Sequence, residues 1–151
     1  RLGKKIFELD SYIEDKAGKT IPAIFKDSGE IAFREMEIEA VKEVSKEGDA
    51  VIACGGGVVL NSINIDRLKI NAIIVYLTTS PTEILKRTKS DSEKRPLLAT
   101  ENPALTISEM IQFRRPFYER SADLRINTTG VDIDSVVDQI IDKITDYESN
   151  D

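Results

Sequence analysis

The sequence predicts an α/β fold in which a parallel sheet carries helices on both faces. Strand-like and helix-like stretches alternate along the whole chain, the pattern of parallel strands joined by helical crossovers. Ala72-Ile73-Ile74-Val75-Tyr76-Leu77 is an unbroken apolar run of the kind used by strands covered on both sides. Ala50-Val51-Ile52-Ala53-Cys54 is a second such run, and it empties into Gly55-Gly56-Gly57 before turning apolar again at Val58. A buried strand that ends this way opens into a turn where the backbone must approach something closely. In open α/β sheets ligands lie beyond the carboxyl ends of the strands, and bare amides there suit an anion or a hydroxyl. A tight turn of glycines is the plainer reading, and three glycines in succession favour the ligand.

Length and composition bound the rest. A chain of 151 residues fits one domain, 1–151. Its hydrophobic content of 40% is spread along the length, no apolar run reaches the ~18 residues of a membrane span, and there is no secretory leader. The expectation is a soluble cytoplasmic protein with no membrane partner. A formal charge of −6 argues against nucleic acid. Anionic small molecules stay open, because arginines can converge in a cleft of an acidic protein. One cysteine and no histidine exclude a disulfide framework, a Cys/His zinc site and a histidine triad. Proton transfer then falls to a carboxylate.

Taken in order, Arg1-Leu2-Gly3 reads as the tail of a helix with its glycine stop, as in a fragment. Ile6 to Leu9 reads as a short strand that sets Glu8 and Asp10 on one side at its end. Two carboxylates there suit a metal and a substrate hydroxyl; equally, they suit a solvated pair ahead of the helix that the Ser11-x-x-Glu14 capping box predicts. That helix should stop at Gly18, and Thr20-Ile21-Pro22 opens a second that should end near Gly29. Glu30 to Lys46 reads as a longer helix with Ile31, Met36, Val41 and Val44 as an imperfect apolar stripe. Arg34 and Glu37 sit three apart on it and can pair, which for bland surface residues contributes little. Ser62 to Leu68 is a short helix, and Ser80-Pro81-Thr82-Glu83 is a strong helix start. Lys89 to Glu101 is charged and aperiodic, so a mobile lid is expected over about 89–105, around Arg95-Pro96-Leu97-Leu98. Thr106 to about Glu119 is helical, interrupted at Pro116. Leu124 to Asn127 is a last strand, Asp134 to Asp146 a closing amphipathic helix, and Tyr147 to Asp151 a tail that should fray.

Together these residues resemble shikimate kinase, a small P-loop kinase of the nucleoside-monophosphate-kinase structural type. The matching stretches are Glu8-Leu9-Asp10, Ile24-Phe25 with Gly29-Glu30, Phe33-Arg34-x-x-Glu37, Gly55-Gly56-Gly57-Val58-Val59, Arg95-Pro96-Leu97-Leu98 and Arg114-x-Pro116-x-Tyr118. They run in the family's order and cover nearly the whole chain. The resemblance implies a three-layer α/β/α fold with a lid, a monomer, and phosphorylation of shikimate to shikimate 3-phosphate on the route to chorismate and the aromatic amino acids. ATP and Mg²⁺ would be the cofactors and shikimate the small-molecule partner.

The same resemblance implies the roles. Asp10 binds a ring hydroxyl of shikimate and takes its proton as it attacks the γ-phosphorus. Arg34 and Arg114 hold the shikimate carboxylate, and Glu37 holds Arg34. Gly55, Gly56 and Gly57 turn their amides to the substrate, and Arg95 closes over the phosphates. Two departures are plain. The first acidic position is Glu8 rather than aspartate, which makes it a weaker magnesium ligand acting through a water. No Gly-x-x-x-x-Gly-Lys-Ser/Thr occurs in the 151 residues, so about 25 residues bearing a strand, the nucleotide loop and a helix are expected upstream. Two other readings stand beside this one: a related small-molecule kinase of the gluconate kinase type, against which the two arginines and the glycine turn speak, and a noncatalytic shikimate-kinase-like binding protein without a nucleotide site, against which Asp10 and Arg95 speak.

Overall fold

The computed structural model describes residues 1–88 and 101–150, so Arg95 and most of the expected lid lie outside the described residues. Contacts cluster into two compact units, one on Arg1–Ala72 and the other on 73–88 with 102–150. Among the described residues no helix is long and apolar enough to cross a membrane.

In the first unit, β1 (Lys5–Glu8) pairs in parallel with β2 (Ala50–Ala53), Lys5 opposite Ala50 and Glu8 opposite Ala53. Two helices, α1 (Leu9–Ala17) and α2 (Ile21–Val44), connect them. α1 ends at Gly18 as expected, with that residue left-handed at φ 67° and its N–H donating to the Glu14 carbonyl at 2.9 Å. The Thr20 hydroxyl caps α2 by accepting from the Ala23 N–H at 3.3 Å. The two helices expected from Thr20 onward form one run that breaks its geometry at Gly29, where φ is 86° and ψ 172°.

Three local expectations fail here. α1 begins at Leu9, with Glu8 before it making no side-chain cap, so Ser11 and Glu14 form no capping box. Leu9 and Ile13, one turn apart and almost fully buried, draw the chain into the helix early. Glu14 instead accepts from the Ile21 N–H at 2.8 Å and ties α1 to the start of α2. Because the strand stops at Glu8, strand alternation does not put Glu8 and Asp10 on one side. The stripe of the longer helix is also rotated: Ile31 is 79% exposed, and the buried face is Phe33, Glu37, Ala40, Val41 and Val44. A glutamate therefore occupies a core position one helical turn from Phe33. After β2 comes a 3-10 turn, Val58–Leu60, and then α3 (Ser62–Lys69), which buries Ile65 and Leu68.

In the second unit, β3 (Val75–Thr78) pairs in parallel with β4 (Leu124–Asn127). α4 (Pro81–Thr88) starts on its expected cap, the Ser80 hydroxyl accepting from the Glu83 N–H at 3.2 Å. α5 (Pro103–Ser121) starts earlier than the sequence suggested, because the Asn102 side chain accepts from the Leu105 N–H at 3.2 Å and Pro103 fits the first turn. α5 also runs through Pro116 without ending there. Tyr118 beyond the proline stacks on Tyr76 of β3, centroids 4.9 Å apart at 18°, which anchors the far half of the helix. α6 (Ile133–Ser149) is capped by Asp132, which accepts from the Ser135 N–H at 3.1 Å. It half-buries Val137, Ile140, Ile141 and Ile144. The expected fraying after Asp146 is absent up to Ser149: the Asn150 side chain donates to the Asp146 carbonyl at 2.9 Å and closes the last turn.

Candidate active site

The triple glycine is explained by what lies against it. A Cβ placed on Gly57 would stand 2.1 Å from Nη1 of Arg34, 2.5 Å from Cζ and 2.7 Å from Nη2. Gly57 has φ −85°, open to any residue, so close approach rather than backbone freedom demands glycine here. At Gly55 a Cβ would meet Oδ1 of Asp10 at 3.1 Å. The turn after β2 therefore gathers Asp10 from α1 and Arg34 from α2, residues that the sequence separates by two helices. Its shape is fixed from behind, since Val58 N–H donates to the Gly55 carbonyl at 3.2 Å and Leu60 N–H to the Gly57 carbonyl at 3.1 Å. Asn64, fully buried on α3, donates from Nδ2 to the Val58 carbonyl at 3.1 Å while its Oδ1 is left without a partner. Sequence reasoning passed over Asn64; a lone amide in an otherwise amphipathic helical stretch was its only signal.

Arg34 is held rigidly. Its Nη1 donates to Glu37 Oε1 at 3.1 Å and Oε2 at 3.4 Å, and its Nη2 to Glu30 Oε1 at 3.4 Å. The Glu37 side chain is 1% exposed and that of Arg34 14%, so the pair is far from the solvated surface pair that spacing alone allowed. Nε of Arg34 is buried and has no hydrogen-bond partner. An oriented guanidinium with unused donor capacity, one carboxylate alongside and a bare backbone turn can grip an anion and act on a neighbouring hydroxyl.

Cys54 precedes this turn. The residue has exposed surface, yet protein crowded around the sulfur, with the negative charges of Glu37 and Asp10 adding to it, pushes the thiol up to about 11. It is a neutral thiol at physiological pH, not a nucleophile.

Glu8 is exposed at the end of β1, away from the alternation that would have paired it with Asp10. Among the described residues no three acidic, cysteine or histidine side chains form a group able to hold a metal by themselves. Gly56 lies in the turn between the two glycines that meet side chains. In the second unit Arg114 is half-buried on α5. The carboxyl ends of β3 and β4 carry a polar cluster the sequence did not announce: Arg87 donates to the Thr128 hydroxyl and carbonyl, each at 3.2 Å, and the Thr129 hydroxyl accepts from the Ser80 N–H at 3.0 Å.

Comparison with known proteins gives the family and the fold. The family model described as shikimate kinase matches residues 1–145. A curated shikimate kinase of Marinomonas sp. (strain MWYL1) is 41% identical over 145 residues, 95% of this chain and 79% of that protein. One of Caldanaerobacter subterraneus subsp. tengcongensis is 38% identical over 93% of this chain and 85% of the relative. Among solved structures, shikimate kinase from Acinetobacter baumannii in complex with shikimate superposes with a TM-score of 0.90 at 35% identity, covering 96% of this chain and 80% of that one. Shikimate kinase from Aquifex aeolicus gives 0.77 at 28% identity, covering 95% and 83%. The parallel strand pairs and flanking helices are thus those of a P-loop-type α/β kinase fold.

Proposed function

The chain belongs to the shikimate kinase family, whose members phosphorylate shikimate with ATP as co-substrate, and on that premise we propose how its own residues serve the reaction. Arg34 grips the carboxylate of shikimate, with Glu37 locking the guanidinium and Gly57 leaving room for it. Arg114 is the second arginine that the family resemblance assigns to shikimate binding. The amides of Gly55, Gly56 and Gly57 face the ring.

Asp10, held beside Gly55, accepts the proton of the ring hydroxyl as its oxygen attacks the γ-phosphorus of ATP. The new O–P bond forms as the bond from the γ-phosphorus to the β,γ-bridging oxygen breaks, and ADP leaves. Arg95, which lies outside the described residues, is the residue that the family resemblance assigns to stabilising the charge on the transferring group. Glu8, acting through a water, is the carboxylate that would serve Mg²⁺, whose remaining ligands would be phosphate oxygens and waters.

The observation that carries this reading is the close approach of Arg34 to Gly57, with Asp10 against Gly55 of the same turn. It is tested in the complete protein by Arg34→Ala and Arg114→Ala. Each variant should raise the KM for shikimate at least tenfold and leave the KM for ATP within about twofold, as loss of a charge-assisted contact requires. Unchanged shikimate kinetics in both variants would sink the assignment.

A further inference from the structure

A carboxylate that binds a guanidinium through two parallel hydrogen bonds uses either the two terminal nitrogens or the edge formed by Nε and one terminal nitrogen. In Arg34 the first choice is closed, because Nη1 is taken by both oxygens of Glu37 and its face lies against Gly57. The Nε/Nη2 edge remains. Nε has no partner, and Nη2 holds Oε1 of Glu30 at 3.4 Å. Glu30 follows the backbone break at Gly29, and its side chain is 49% exposed, so it can turn to solvent at little cost. A cavity of about 400 Å³ is lined by Glu30, Arg34, Glu35, Ile38 and Leu60 among others, so the Glu30 side chain has open space to turn into.

We infer that Glu30 is a built-in competitor for the substrate: its carboxylate occupies the place on Arg34 that the substrate's carboxylate takes, and it swings away when the acid binds. The inference rests on the functional reading above and adds a determinant of affinity to it. The site discriminates because only a ligand with a well-placed anion displaces a tethered glutamate. Glu35 lines the same cavity, and the ion pairs of Arg34 among the described residues are with Glu30 and Glu37, so Glu35 reports the effect of negative charge alone.

The test is calorimetric titration of shikimate into the complete protein and into Glu30→Gln, Glu30→Ala and Glu35→Gln. Removing an exposed ion pair that competes with the ligand should tighten shikimate binding about two- to fivefold in both Glu30 variants, leave it unchanged in Glu35→Gln, and leave MgATP affinity unchanged in all three. A merely structural role for Glu30 predicts loss of affinity, not gain. Equal or weaker binding in the Glu30 variants, or an equal gain in Glu35→Gln, overturns the inference while wild-type binding keeps the functional reading intact. Absence of shikimate binding by the wild-type protein overturns both.

Discussion

The guanidinium of Arg34 occupies the space that a side chain on residue 57 would need, with Nη1 2.1 Å from where its Cβ would stand. The clash falls on the far end of a flexible side chain, not on backbone. Gly57→Ala should therefore still fold, but with a loss of stability, because Arg34 pushed out of position leaves the buried Glu37 carboxylate without its partner. Shikimate affinity should fall about 10- to 100-fold, as misplacing a positioning group does. Calorimetry alongside thermal unfolding checks this; unchanged affinity would mean that Arg34 binds nothing from this position.

Glu37 is a buried carboxylate at a core position, paired with a guanidinium that is itself mostly buried. Glu37→Ala leaves that charge without its main partner and opens a cavity, so unfolding in urea should show a loss of about 3–5 kcal/mol. Double substitution with Arg34→Ala should recover part of it, because the orphaned charge is then gone. Additive losses would contradict the pairing.

Asn64 should matter through its donor. Asn64→Asp keeps the shape, removes the N–H that satisfies the Val58 carbonyl, and buries a carboxyl at a fully buried site. Stability should fall by at least about 1–3 kcal/mol, the cost of an unsatisfied buried group. A denaturant melt with unchanged midpoint would refute it.

Cys54 has its thiol pushed up to about 11 by crowding, then by Glu37 and Asp10. Alkylation by iodoacetamide should be slow at pH 7.5 and rise about tenfold per pH unit up to roughly pH 10, since only the thiolate reacts. The sign follows from the raised value: the neutral thiol is the form favoured in the folded chain, so its contribution to stability is present below the ordinary thiol range and fades as pH rises toward 11. In Glu37→Gln the rate at pH 9 should increase, because one of the negative charges opposing the thiolate is removed. A flat pH profile would show that the thiol sits elsewhere.

The alternation of strands and helices, the glycine stop at Gly18 and the Thr20 and Ser80 caps were all in the sequence, because each is a local matter of backbone preference. Helix boundaries were less legible where burial competed with capping: Leu9 and Ile13 overrode the Ser11 box, and Tyr118 on Tyr76 carried α5 past its proline. The sequence could place Arg34 and Glu37 three apart but could not say that the glutamate faced the core, since a carboxylate reads as surface until a buried partner neutralises it. Nor could it say why residue 57 is glycine. That depends on a side chain arriving from another helix, 23 positions earlier in the chain, and such a meeting exists only once β1, α1, α2 and β2 have folded together.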